Sequence, residues 1–466
     1  MANETVSSSS KLAYAIGSVA FGVKENGFST FMMIYFNQVF GLSAIYVGIA
    51  LLIAMAFDAI TDPWIGHISD RWQGRLGRRH GFMYAAILPA ALTYFYLWNP
   101  PTGLEGFSLF LFLTVMAVLV RSALTFFEVP NSAMVPELTQ NYDQRTMLSG
   151  LRTMIGWIGG VVMATIAYTL FLVPTEAQPV GQLNEAGFRS FALVAALVMA
   201  IAMLISAVGT HRLIPQLPKS NPTSTGYSQG FWEGISTIWA RKPFRAAFLS
   251  SLFANMVFGL TITMQIYFGT FYFGLTADQL GQLSMVMVLS AIAAFTLTSW
   301  LTRRREKRAV TIVLLWGNLI ASSLVILLKY FGIAPDNGSE AMIVLIASNL
   351  LIAIALSIAL QIVMLSMISD LVEDTERETG HRGEGIYLAT FSFSRKMVTG
   401  LGTLASGILI AIGASEGGAM NEATMHAIAM PYVALVSLLF LIAILFVRKF
   451  DLTRANHEAN LKATAQ

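Results

Sequence analysis

The chain contains no cysteine. That excludes disulfide frameworks, Cys-ligated zinc, iron–sulfur clusters and thiol nucleophiles. Charge is the second scarcity: only 12% of 466 residues are Asp, Glu, Lys or Arg, against about 25% in soluble domains. A water-soluble chain of this length could not cover its surface with so few. With 55% hydrophobic residues and a mean hydropathy of +0.65, much of the chain must have lipid as its solvent. Catalytic signatures are missing too. The six histidines (67, 80, 211, 381, 426 and 457) form no His-Glu-x-x-His pattern, and there is no Gly-x-Ser-x-Gly elbow or Gly-x-x-x-x-Gly-Lys-Ser/Thr loop. Hydrolysis and ATP coupling therefore have no support, and neither an enzyme nor a cofactor is expected. Met1 to Ser10 carries a single charge, Glu4, without the basic stretch and cleavage site of a signal peptide. The first apolar run is accordingly expected to be a retained membrane helix.

What is present is a series of long apolar runs. They lie near 12–39, 44–69, 81–99, 106–136, 147–173, 188–210, 246–274, 280–301, 309–332, 341–369, 385–413 and 424–447. The pattern predicts an all-α membrane protein of twelve transmembrane helices, with both termini on one side. Basic residues test the count. Arg71, Arg75, Arg78 and Arg79, Arg145, Arg241 to Arg245, Arg303 to Arg308, Arg377 and Arg382, and Arg448 to Lys462 all fall on one side. The opposite loops carry Arg189, Lys329 and a run of carboxylates such as Glu105, Glu176 and Glu422. By the positive-inside rule, the termini are expected in the cytoplasm and the protein in a cell inner membrane. A net charge of +3 and a pI near 9.0 follow from such anchoring and need no nucleic-acid partner. A Pro/Ser/Thr/Gly-rich connection with one amphipathic stretch, Gly230 to Ala240, splits the chain. The expected organisation is a tail (1–11), a six-helix bundle (12–213), a cytoplasmic linker (214–243), a second six-helix bundle (244–449) and a C-terminal tail (450–466). Two six-helix halves are the plan of major-facilitator transporters.

An ionisable group at mid-bilayer costs about 2.5–3.5 kcal/mol on insertion scales, so each one needs a reason. The spans contain Lys24, Glu25, Asp58, Asp62, Arg121, Glu128, Arg152, Arg395 and Lys396. Asp58 and Asp62 are four apart and share a helix face. Two carboxylates close together in low dielectric cannot both stay ionised unless a cation joins them or one is protonated. The pair is therefore a candidate site for Na⁺, Li⁺ or H⁺, with Thr61 and Thr125 as neutral oxygen ligands. The alternative is that each aspartate merely pairs with a basic residue from another helix. Arg121 and Glu128, seven apart, either line a polar cavity or satisfy Arg152 and Lys396 as packing pairs. Lys24 and Glu25 are adjacent, so their side chains are expected to point apart. Glycines in spans five (Gly150, Gly156, Gly159, Gly160) and eleven (Gly400, Gly402, Gly407) suit close helix contacts or gating.

The run Phe57-Asp58-Ala59-Ile60-Thr61-Asp62-Pro63-Trp64-Ile65-Gly66, followed by Ser69-Asp70-Arg71 and Gly74-Arg75-Leu76-Gly77-Arg78-Arg79, resembles a known family. It is similar to the glycoside–pentoside–hexuronide:cation symporters, the melibiose permease-like branch of the major facilitator superfamily. Val129-Pro130 through Val135-Pro136-Glu137-Leu138, Asp370-Leu371-Val372-Glu373-Asp374, and Arg382-Gly383-Glu384-Gly385-Ile386-Tyr387 leading to Lys396 extend the likeness over both halves. The resemblance implies that Asp58, Asp62 and Thr125 bind the coupling cation, with Thr61 where melibiose permease has an asparagine. It places Glu128, Arg152 and Lys396 at the substrate. The departures bear on specificity. The family's span-one sugar aspartate falls near Lys24 and Glu25, and its stacking tryptophan falls at Ser132, without an aromatic platform. Arg121 adds a cation that would suit an acidic sugar or a phosphate-bearing head group.

The expected function is cation-coupled symport of a sugar, glycoside or sugar acid by alternating access. The runner-up is symport of a lysophospholipid or other amphiphile. The candidate substrate residues are Lys24, Glu25, Arg121, Glu128, Ser132, Arg152 and Lys396. Asp70, Arg71, Arg75, Arg78, Asp370 and Glu373 are candidates for inner-gate ion pairs, or simply anchor topology. A monomer surrounded by membrane lipid is expected.

Overall fold

The computed structural model describes residues 7–139, 141–216, 236, 238–303, 305–379, 384–414 and 420–451. Most of the expected linker with its amphipathic stretch, the ends of both tails, and Arg382 and Gly383 lie outside the described residues. All the regular structure described is helical, as lipid requires, because a helix satisfies its backbone groups internally.

The first expected span is a chain of short pieces: α1 (Ser8–Ile16), α2 (Ser18–Asn26) and α3 (Met32–Ile34), with π-helical turns at Gly27–Phe31 and Tyr35–Val39. Then follow α4 (Ala44–Arg71), α5 (His80–Leu97), α6 (Gly106–Ala133), the short α7 (Val135–Leu138), α8 (Tyr142–Ile166) and α9 (Glu185–His211). The later helices are α10 (Lys242–Tyr267), α11 (Ala277–Thr302), α12 (Lys307–Tyr330), α13 (Glu340–Thr379), α14 (Glu384–Gly413) and α15 (Glu422–Val447). Among the described residues, ten helices are long and apolar enough to cross a membrane. The other two expected spans coincide with the broken α1–α3 segment and with α5, an 18-residue helix that mixes tyrosines into its apolar run. Asparagines cap three helices: Asn141, Asn184 and Asn421 each accept a main-chain N–H three residues on.

The chain divides into two compact units, Met1–Thr225 with Thr276–Met285, and Gly226–Leu275 with Val286–Gln466. In the first, α4 packs on α6, α5 on α6 and α9, and α2 on α8 and α9. The closest approach is at Gly22, where a Cβ would lie 1.7 Å from the carbonyl oxygen of Gly156. Only a residue without a side chain lets α2 and α8 meet there. Gly150, by contrast, faces open space. In the second unit, α10 packs on α14 and α15, and α12 on α13 and α15.

Candidate functional site

Helix α4 carries Asp58 and Asp62 one turn apart, with Pro63 removing one ladder donor beside them. Asp58 is 2% exposed and Asp62 is half-buried. Thr125, on the facing side of α6, stands between them. Its hydroxyl lies 3.0 Å from Asp58 Oδ1 and 3.1 Å from Asp62 Oδ1. A hydroxyl has one proton and can fully satisfy only one of these oxygens at a time. Three oxygens thus converge where a cation or an added proton would relieve their repulsion. Thr61 donates to the main-chain carbonyl of Asp58 at 3.3 Å, so its hydroxyl proton is used within its own helix.

Arg121, one turn before Thr125 on α6, places Nη1 3.0 Å from Asp58 Oδ2, with both side chains 3% exposed. The same nitrogen is 3.6 Å from Glu25 Oε1, and the guanidinium lies 4.9 Å from the centre of the Phe28 ring. Arg121 therefore neutralises part of the carboxylate pair, which is half of the packing alternative raised by the sequence. Lys24 and Glu25 correct a second expectation. Their side chains do not point apart: Lys24 Nζ meets Glu25 Oε1 at 2.7 Å. Lys24 is 2% exposed, and a buried ammonium needs a countercharge that its long stem can fold back to reach. Within the cluster, Lys24 and Arg121 face Glu25, Asp58 and Asp62.

A small cavity, with room for about one water molecule, is lined by Gly17, Ser18, Phe21, Leu124, Phe127, Glu128, Asn131 and Arg152. Arg152 Nη2 lies 3.4 Å from Glu128 Oε1 in its wall. Of the expected substrate residues, Glu128 and Arg152 line this space, whereas Lys24, Glu25 and Arg121 join the aspartates. Ser132 is half-buried and donates to the Val129 carbonyl of its own helix. Asn131, which sequence reasoning passed over, lines the cavity and donates to Ser206 at 3.1 Å. Lys396 is half-buried on α14, in the second unit.

The loop after α4 forms a compact ion-pair network. Gly77, at φ +71°, turns the chain so that Arg78 and Arg79 reach back toward α7. Arg79 is 4% exposed and contacts Glu137 at 2.8 Å, Asp70 at 2.5 Å and the Ser69 hydroxyl at 2.8 Å. Arg78 meets the same Glu137 oxygen at 2.7 Å. The expected gate residues Asp70 and Arg78 therefore meet through Arg79 and Glu137, neither of which was singled out for this role. Arg71 and Arg75 are exposed. In the second unit Lys307 contacts both Asp370 oxygens at 2.7 Å, and Arg241 pairs with Asp374 at 2.8 Å. Glu373 is half-buried on the same helix.

Long apolar helices around a buried cluster of charged side chains define a multi-pass membrane protein of the transporter class. The chain belongs to the MFS/sugar transport protein family, whose model matches residues 13–454. It is 25% identical to the isoprimeverose transporter of Lactiplantibacillus pentosus, over 91% of this chain and 85% of that one. It is 23% identical to the sodium-dependent lysophosphatidylcholine symporter 1 of Xenopus tropicalis, over 84% of this chain and 77% of that one. The fold matches a bacterial homologue of the human lysosomal transporter Spinster in an inward-facing, unoccupied conformation. There the TM-score is 0.65 and the identity 14%, over 95% of this chain and 96% of that one. The chain is thus a major-facilitator transporter of a small-molecule substrate rather than an enzyme.

Proposed function

We propose that this protein couples one monovalent cation to the uptake of a sugar, glycoside or sugar acid by alternating access. It would work in a cell inner membrane with both termini cytoplasmic. The observation that carries the reading is the Thr125 hydroxyl held between the carboxylates of Asp58 and Asp62. The close approach of these two carboxylates suits one Na⁺, Li⁺ or H⁺. Asp58, Asp62 and Thr125 supply side-chain oxygens for it, and Thr61 offers lone pairs on the same helix. Glu128, Asn131 and Arg152 present acceptors and donors for a polyhydroxylated or acidic substrate. The relative that transports isoprimeverose favours a sugar. One charge moving down a membrane potential of about 150 mV releases about 3.5 kcal/mol, enough for about 300-fold accumulation. Asp70, Arg71, Arg75, Arg78, Asp370 and Glu373 serve as gate residues in this reading.

A second reading, symport of a lysophospholipid or similar amphiphile, draws on the frog relative and on the mixed wall of the cavity. There Phe21, Leu124 and Phe127 stand beside Glu128 and Arg152. Stability of the purified protein in the presence of sugars, sugar acids or lysolipids, each with and without Na⁺, separates the two. A ligand of the folded state raises the melting temperature. A rise with sugars or sugar acids supports the first reading, and a rise with lysolipids alone replaces it with the second.

A further inference from the structure

We propose that Arg121 is a tethered competitor of the coupling cation for Asp58, and that its guanidinium transfers to Glu25 when the cation binds. The inference rests on the symport reading above.

The geometry is that of a shared, weakly committed charge. Arg121 reaches both carboxylates with one nitrogen, Nη1, at 3.0 Å from Asp58 and 3.6 Å from Glu25. Strong arginine–carboxylate pairs are bidentate. Here Nε is buried without a hydrogen-bond partner among the described residues. The guanidinium is thus under-satisfied where it stands, and a sub-ångström shift suffices to exchange one acid for the other. The Phe28 ring beneath it offers a surface for that movement without loss of the cation–π contact. A cation entering between Asp58, Asp62 and Thr125 puts a second positive charge beside Nη1, and the repulsion drives the transfer. Glu25, 34% exposed on its side chain, is the acceptor already within reach, and it would share its carboxylate between Arg121 and Lys24, which holds Oε1 at 2.7 Å.

The transfer also carries information. Glu25 sits on α2, the helix that gives Ser18 and Phe21 to the cavity wall. Pulling Arg121 from α4's aspartate to α2's glutamate therefore makes the cavity wall sense whether the cation is bound.

The test is equilibrium cation binding to the purified full-length protein. NaCl and LiCl are titrated at constant ionic strength with choline chloride, and acid is titrated without either. Arg121→Gln should tighten binding of whichever ion the wild type takes by about ten- to a hundredfold, the scale of one neighbouring charge at an effective dielectric of about 20. Glu25→Gln strands the guanidinium on Asp58 and should weaken binding by about tenfold, while Arg121→Lys stays near wild type. Because Glu25 acts through Arg121, Glu25→Gln should shift affinity by less than about threefold in the Arg121→Gln background. Additive effects, or an unchanged or weaker Arg121→Gln, overturn the inference. If Arg121→Gln does not fold, Glu25→Gln decides alone: weaker binding supports the transfer, and unchanged or tighter binding overturns it. Should the wild type bind none of the three ions, or Asp62→Asn bind as well as wild type, the symport reading itself fails. Loss of binding in Asp62→Asn with no effect of Arg121→Gln overturns the competitor alone.

Discussion

Replacing Thr125 by valine keeps the side chain's shape and removes one oxygen and one proton from between two carboxylates. Thr125 is 3% exposed and its hydroxyl lies 3.0 and 3.1 Å from Asp58 and Asp62. A contact between the cation and a neutral hydroxyl oxygen is on the scale of a hydrogen bond to a charged group, about 1.5–3 kcal/mol. One oxygen makes one such contact, so the loss is counted once. At about 1.4 kcal/mol per tenfold, the cation's half-saturating concentration should rise about ten- to a hundredfold in Thr125→Val. Half-burial of Asp62 favours the lower end, since water replaces part of what is lost. The assay is cation binding to purified protein, with Na⁺, Li⁺ and acid titrated separately. Thr125→Ser retains the hydroxyl and should stay within about threefold of wild type. Unchanged half-saturation in Thr125→Val, or an equal loss in Thr125→Ser, would refute the claim that this hydroxyl is a ligand.

Other substitutions probe the rest of the account. Glu137→Ala strips the main countercharge from Arg79, 4% exposed, and should cost about 3–5 kcal/mol, seen as a marked fall in melting temperature in detergent; Arg78→Ala, at an 18% exposed side chain, should lower it far less. Gly22→Ala drives a Cβ to 1.7 Å from the Gly156 carbonyl oxygen and should sharply lower the yield of folded protein, whereas Gly150→Ala, facing open space, should match wild type. Glu128→Ala should weaken binding of the transported sugar while leaving the cation's half-saturation near wild type; a loss of both together would place Glu128 in the cation site instead.

The helical layout was legible because lipid imposes it. Each apolar run reappears as helix within a few residues, except that α13 runs on to Thr379, ten residues past the expected end, and the broken first segment is where Gly27 and π turns interrupt the repeat. The shared face of Asp58 and Asp62 was legible too, since four-residue spacing is a property of one helix. What spacing cannot tell is which residue of another helix faces that pair, and so Arg121 was assigned to substrate rather than to Asp58. Lys24 and Glu25 misled for a different reason. Adjacency governs where two Cβ atoms point, but burial decides where a four-carbon stem ends, and the ammonium folds back onto its neighbour. At the end of α4 and in the loop after it, four arginines look alike in sequence; only burial singles out Arg79 as the centre of the network. The contact at Gly22 is legible only from the other side of the interface, because nothing in α2 announces the glycine of α8 that meets it.

The central claim is that the α4 carboxylates couple a cation gradient to accumulation. Its most direct test compares wild type and Asp62→Asn in proteoliposomes, with inward Na⁺ or H⁺ gradients and the sugar or sugar acid that stabilises the purified protein. The account predicts that wild type concentrates the substrate, that collapsing the gradient abolishes accumulation, and that Asp62→Asn binds substrate but cannot concentrate it. Accumulation by Asp62→Asn equal to wild type, or no response of the wild type to either gradient, would contradict it.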